Sequence, residues 1–472
     1  MTLEKVHAHI DEKFDDTVKE IQRFIGQPGF SHTGEGIRET AQMCREYVAA
    51  LGASDAQLVE TDGNPVVFGT VKSSKPDAKT LVGYSLYDVV PVKEEEWTFP
   101  PLAAEIVDGT EVGLSARFGK VMVGRGTHNQ RGPMLAFVKV LESIQAVTDD
   151  LPINVMFAWE GEEEIGCPHL HQFVEKKLPE LSTADAVYMP SMREDENGTM
   201  IFNRGYKGKL NVEIEIEGGD WGGTLDGRDL WSANTAWVDA PMHQMIRLLS
   251  TLSDEDQRPA IDGFYDSVRE YSDEEVENLR VMKESFDEDQ IKKSLNIGRF
   301  KGGKAGSEWL EDYYLGPMLN IGGIVGGYMG PQVFTLQGQR IVAKIDIRLV
   351  PNQRSEEVLQ LLRAHLDRRG FEHAKIRVFG RYEWSRTSAM EDIYQAAISI
   401  VERSGKPYQI WPTTPAVGPF GYFNQDPLNL PCIFAGTGHG WRAHQADEYI
   451  TIDGLRENMH FVADFLHEWA AM

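Results

Sequence analysis

Helical and strand periodicities alternate along this chain, stop alternating, and then resume, and that interrupted rhythm limits what it can fold into. Up to about Lys207, helical patterns exchange with apolar strands. "GIRETAQMCREYVAALGA" spaces its apolar residues as a helix does and ends at glycine, and "RGPMLAFVKVLESIQAV" is a second helix. "KTLVGYSLYDVVPV" and "LPINVMFAWEGEEEIG" are apolar runs of strand length, each followed by acids. Such alternation predicts a mostly parallel sheet sandwiched by helices, an α/β fold. Between about Gly208 and Glu383 the period falls to two. "KGKLNVEIEIEG" and "QRIVAKIDIRLVP" read as half-exposed antiparallel strands, with helical runs "APMHQMIRLLSTL" and "SEEVLQLLRAHLDRRG" beside them. The α/β pattern returns with "MEDIYQAAISIVERSG" and a last helix from about Asp453. The expected organisation is one α/β domain, 1–207 and 384–472, interrupted by a smaller α+β domain over 208–383.

A chain of 472 residues has room for this arrangement, each part with its own core. Its formal charge of −26 argues against nucleic acid and anionic membrane surfaces as partners. A small anionic ligand would need a local basic anchor in that field. No apolar run reaches the ~18 residues that cross a bilayer. The first residues, "MTLEKVHAHIDEKFDDTVKEIQRFIG", lack the order of a signal peptide, so a cytoplasmic protein is expected. Cys44, Cys167 and Cys432 are too few and too scattered for a disulfide framework.

Three segments carry chemistry. In "FAWEGEEEIGCP" three consecutive glutamates, Glu162 to Glu164, follow a buried strand. Open α/β sheets bind ligands at the carboxyl ends of their strands, so catalytic acids belong there. Adjacent carboxylates repel, which favours a shared proton or cation; a solvated acidic helix start would explain the run equally well. "VMVGRGTHNQRGP" is a glycine-bracketed turn without the lysine and hydroxyl of a phosphate loop. "GTGHGWRAHQADEYI" sets His439 and His444 in a late, glycine-rich turn, a metal or acid/base signal.

In this order the segments resemble the zinc-dependent aminopeptidase and amidohydrolase family that includes carnosinase-type dipeptidases, succinyl-diaminopimelate desuccinylase and aminoacylase. "YDVVPV…W" resembles that family's HxDVVP…W, "GRGTHNQRGP" its GRGxxDxKG, "EGEEEIGCP" its EGxEEIGSP, and "AHQADE" its AHxxNE. "IDGFYDSVREYSDEE", "MLNIGGIVGGYMGP" and "IDIRLVPNQ" match the carnosinase-like branch. The resemblance implies a zinc-peptidase-like catalytic domain with an inserted lid or dimerisation domain, and a homodimer through the latter. In the family two zinc ions share an aspartate and a water, and a glutamate is the general base. Carried over, Glu163 is the base, Glu164 and His444 are metal ligands, and Asp88 is the acid that orients a metal-binding histidine. Arg348 matches an arginine that grips substrate carboxylate, and Asn320 and Trp231 fall at substrate-binding positions.

Other positions depart from the pattern. The first metal-binding histidine falls on Leu86, the bridging aspartate on Asn129 and a further aspartate on Ser191. Trp231 replaces a histidine that reaches across the dimer, and Val417 replaces a serine. A two-zinc centre is therefore not expected: either no metal binds, or one divalent ion, zinc by preference, sits weakly on Glu164, His444 and Asn129 or the adjacent His128. The expected function is hydrolysis of a small amide-like C–N bond in a carboxylate-bearing substrate, with Glu163 as base. His128 and His444 would be acids, with Tyr87 as a further donor and Asp88 addressing His128 or Tyr87. Cys167 is read as a small buried thiol rather than a nucleophile. An isomerase or lyase using the same groups, and a non-catalytic binder of a small carboxylate, are the alternatives.

Overall fold

A computed structural model describes residues 2–328 and 330–472. The chain divides into two compact units. The first comprises the chain up to Arg204 with Arg386–Trp411 and Tyr422–Met472; the second comprises Gly205–Ser385 and Pro412–Gly421. The last of these stretches sits within the part that sequence periodicity assigned to the resumed α/β pattern. It joins the second unit because Thr414–Val417 pairs in parallel with the strand Tyr206–Glu217.

The first unit is built on a six-stranded sheet. Its strands include β1 (Gln57–Val59), β2 (Val66–Val71), β3 (Thr80–Leu86), β4 (Asn154–Glu160) and β5 (Ala186–Pro190). The spatial order is β1-β2-β4-β3-β5, closed by a strand from late in the chain, Cys432–Ala435. From β4 onward in that order every pairing is parallel; β1 and β2 are antiparallel additions at one edge. The central strands are apolar because helices cover the sheet. Phe137, on the helix Arg131–Thr148, packs edge-on against Phe157 of β4 and Tyr188 of β5. A second, four-stranded sheet pairs Lys120–Val123 with Tyr449–Thr451, which in turn pairs with Gly440–Trp441. It lays the loop before the helix Arg131–Thr148 beside the late hairpin that carries His444.

The second unit is an antiparallel sheet with helices on one face. Its strands are β6 (Tyr206–Glu217), β7 (Met318–Gly326), β8 (Arg340–Leu349) and β9 (Lys375–Tyr382), in the order β7-β8-β6-β9. Along β6, Leu210, Val212, Ile214 and Ile216 are buried with Met245 and Leu248 of the helix Pro241–Leu249 and Leu362 and Leu366 of the helix Ser355–Arg368. Each such side chain contributes roughly 1.5–3 kcal/mol on burial. The alternate residues, Lys209, Asn211, Glu213, Glu215 and Glu217, lie on the opposite, polar face. Among the described residues no helix is long and apolar enough to cross a membrane.

Candidate active site

The candidate groups of the first unit lie past the carboxyl ends of parallel strands, where such sheets place their chemistry. Asp88 lies two residues beyond β3. Glu163 and Glu164 occupy a short 3-10 turn, Glu163–Ile165, just beyond β4. Asn129 ends the loop before the helix Arg131–Thr148, and His444 comes from the late hairpin.

Glu448 holds these last two segments together. Its carboxylate is fully buried; one oxygen accepts from Arg125 Nη1 at 2.7 Å and the Gly126 N–H at 3.1 Å. The other accepts the N–H groups of His128 at 3.0 Å and Asn129 at 2.8 Å. Asp447 adds a clasp, accepting the N–H and hydroxyl of Thr98 at 2.9 and 2.8 Å. His444 itself has φ of 64°, a left-handed conformation that a non-glycine residue keeps only where its surroundings enforce it.

Glu164, His444 and Asn129 touch one another. His444 Nε2 is 2.9 Å from Glu164 Oε2, Asn129 Nδ2 donates to Glu164 Oε1 at 2.8 Å, and the amide lies 3.2 Å from His444 Nε2. The hydrogen bond to Glu164 raises the imidazole pKa above its ordinary value, favouring the imidazolium. Glu162 points elsewhere: it is buried, 2.9 Å from His169 Nδ1, and it accepts the Asn64 N–H at 3.0 Å. Asp88 accepts the backbone N–H groups of Glu163 at 3.3 Å and Glu164 at 3.0 Å, and so fixes the turn that bears them. Burial, then the charge of Glu164, pushes its pKa up to about 7.

Three expectations are corrected here. Asp88 engages that turn and not His128 or Tyr87. Tyr87 is no donor at the site: its buried hydroxyl donates to the Pro65 carbonyl at 2.6 Å. His128 is not an acid at neutral pH, because burial, with Arg193 and His439 nearby, pushes its pKa down to about 3 and leaves a neutral ring whose buried Nδ1 has no partner among the described residues. Cys167 is a buried thiol whose pKa burial pushes well up, as a structural cysteine requires. Arg348, Asn320 and Trp231 belong to the second unit. Arg348 and Asn320 lie on β8 and β7, and Trp231 is 64% exposed.

Two acids escaped sequence reasoning. Glu448 was visible only as the end of "AHQADE". Glu160, the last residue of β4, is fully buried and accepts from Tyr84 and, at 3.4 Å, from Cys167; only its place at the end of an apolar run marked it. Burial pushes its pKa from 4.5 up to about 8. Raised in the folded state, that pKa makes the folded chain hold its proton more tightly than the unfolded one. Stability from this group is therefore intact below about pH 4.5 and declines as pH rises towards 8. Glu160→Gln is expected to flatten that part of the curve, so that its stability relative to wild type improves between pH 5 and 8 in urea unfolding. Parallel curves would remove Glu160 as the source.

Comparison with known proteins decides what kind of chain this is. The family model described as Peptidase family M20/M25/M40 matches residues 84–468. The chain belongs to this family. An M20 family metallo-carboxypeptidase from Sulfolobus solfataricus is 31% identical, with a TM-score of 0.86 over 97% of this chain and 99% of that one. The human Beta-Ala-His dipeptidase is 25% identical over 77% of this chain and 71% of its own length. The Cys-Gly metallodipeptidase DUG1 of Saccharomyces cerevisiae is 23% identical over 99% and 98%.

The M20 family's metallopeptidases work with a divalent metal, and the side chains here can be tested against one. Among the described residues no group of three or more His, Cys, Asp or Glu side chains is placed to hold an ion. Leu86 is a buried hydrocarbon, and the Ser191 hydroxyl is buried without a partner among the described residues. Glu164 and His444, the two strong donors, are already paired with each other. This set falls short of the three protein ligands of a catalytic zinc.

Proposed function

We propose that this M20 member is a divergent hydrolase of a small amide-like C–N bond in an amino-acid-like or carboxylate-bearing substrate, with Glu163 as general base. It works without a metal or with at most one weakly bound ion. The observation that carries this reading is the place of Glu163 just beyond the carboxyl end of β4, on a turn whose N–H groups Asp88 holds. Glu162 is committed to His169 and Asn64, and Glu164 to His444 and Asn129. Glu163 shares the turn that Asp88 fixes, half-buried at the strand end. In the proposed reaction its carboxylate takes a proton from water as the oxygen attacks the carbonyl carbon. It then gives that proton to the leaving nitrogen. The imidazolium of His444, held by Glu164, supplies positive charge beside the developing oxyanion. One glutamate base contributes roughly 10²–10⁴-fold, so the substrate is expected to be more reactive than an ordinary peptide. The dipeptidases among the relatives support a small substrate.

Elemental analysis of protein purified without added metal tests the metal-poor part. Well under one zinc per chain is expected; two tightly held ions would overturn it. One labelled solvent oxygen is expected in the product, whereas exchange at carbon without it would replace hydrolysis by isomerisation. A homodimer through the second unit is part of the proposal. It is supported by the edge strand β7, whose Ile321, Ile324 and Val325 are exposed beside unpaired backbone. Sedimentation of the full chain as a monomer at micromolar concentration would refute it.

A further inference from the structure

The strand β3 ends at Leu86, so the sheet ladder has stopped before the chain reaches Asp88. Backbone groups enclosed there need other partners. The Tyr87 N–H donates to the Glu160 carbonyl at 2.8 Å, and the Val89 N–H donates to the Gly29 carbonyl at 2.9 Å. The Tyr87 carbonyl is taken by a side chain: it accepts from Arg131 Nε at 2.8 Å. Asp88, between these two residues, in turn accepts the N–H groups of Glu163 and Glu164.

Arg131 opens the helix Arg131–Thr148 and is fully buried. Among the described residues its guanidinium hydrogen-bonds to carbonyls alone: besides Tyr87, Nη1 donates to Gln27 and, at 3.4 Å, to Phe24. The group lies over the Phe24 ring, 5.3 Å from its centre. These further acceptors sit at the end of the first helix, Thr2–Ile25, and just beyond it. A buried cation without a contacting counter-charge is strongly unfavourable, and a cation at a helix start opposes the macrodipole. Its own helix therefore does not explain the residue. Burial pushes its pKa down to about 10, with Cys44 and then Asp88 pulling it back, so it keeps its proton at neutral pH. The planar fork of a guanidinium can grip two chain segments at once. Here one is the chain at Asp88, and the other is the segment from Phe24 to Gly29 that receives Val89. A Cβ on Gly29 would stand 2.0 Å from Nη2, so glycine leaves the room that the fork occupies.

We propose that Arg131 is a positioning residue, which braces the chain on both sides of Asp88 and through Asp88 aims the turn that carries Glu163. This rests on the reading of Glu163 as the base and adds the group that sets its place.

Hydrogen exchange resolved at single amides of the full chain tests it without a substrate. In Arg131→Met the Glu163 and Glu164 amides are expected to exchange at least ~10-fold faster. The amide of Ser73, which Asn154 holds at 2.9 Å at the opposite end of β4, should stay within ~3-fold of wild type. Gly29→Ala, whose Cβ displaces Nη2, should speed the same two amides. In an Arg131→Lys background, where the shorter head leaves that space open, Gly29→Ala should add less than ~2-fold. Unchanged exchange at Glu163 and Glu164, or an equal rise at Ser73, would overturn the proposal. So would a Gly29→Ala effect of one size in both backgrounds, since the glycine would then act on Val89 directly. If Arg131→Met does not fold, the Gly29→Ala pair decides alone. No turnover enters these measurements, so failure here leaves Glu163 as base untouched, and an unchanged rate in Glu163→Gln would leave the brace standing.

Discussion

Glu163→Gln is expected to lower the turnover of this M20 protein by at least ~10²-fold while the fold stays intact. The amide keeps the size and shape of the carboxylate but cannot take a proton from water at neutral pH. The backbone of residue 163 still donates to Asp88, so the turn keeps its anchor. Substrate affinity should hold, which places the loss in kcat rather than KM. Rates measured beside urea unfolding curves separate the two effects. A rate within a few-fold of wild type would remove Glu163 from the mechanism, and a rate lost together with stability would assign it a structural role.

The largest stability effect is expected at Glu448→Ala, a loss of about 3–5 kcal/mol. Arg125 and Glu448 are almost wholly enclosed, with side-chain exposures of 4% and 0%. Removing the carboxylate leaves a buried guanidinium without its counter-charge. It also strips the N–H groups of Gly126, His128 and Asn129 of their acceptor, at roughly 1–3 kcal/mol for each one left unsatisfied. Asn129 would lose the contact that sets it beside Glu164 and His444. Glu448→Gln, which keeps an acceptor oxygen but not the charge, should fall between the two. Equilibrium urea unfolding followed on the first unit's aromatic signals checks this. A loss under ~1 kcal/mol would mean that water enters and solvates the guanidinium.

Periodicity carried much of the architecture. The 3.6-residue pattern of "RGPMLAFVKVLESIQAV" became the helix Arg131–Thr148, and the two-residue pattern of "KGKLNVEIEIEG" became a strand with one buried and one polar face. What it could not supply was direction: β2 has the composition of its neighbours but runs antiparallel to β4. It also missed Thr414–Val417, whose partner lies some two hundred residues earlier. In the site, motif order marked Asp88, Asn129, Glu163, Glu164 and His444, and the structure places Asp88 against the 163–164 turn and Glu164 against Asn129 and His444. The misreadings were of environment. Tyr87 neighbours Asp88 in sequence, yet its hydroxyl turns to Pro65. His128 has ordinary histidine chemistry until burial removes its proton. Glu160 and Glu448 are unremarkable acids until the fold encloses them. Enclosure depends on distant segments, and local pattern does not report it.

The clasp between Glu448 and the 125–129 loop also bears on when the site can exist. His128 and Glu448 are separated by 320 residues of chain, and closing so long a loop comes late in folding. During synthesis the strands that present Asp88 and Glu163 can be in place while the hairpin bearing His444 is still being made. Until that hairpin is present, the carboxylates at the strand ends lack the imidazole beside Glu164. A chain cut just before Gly440 should therefore have no assembled centre, and it also loses the helix Ile452–Ala471, whose Leu455, Met459, Phe465 and Trp469 lie in the first unit's core.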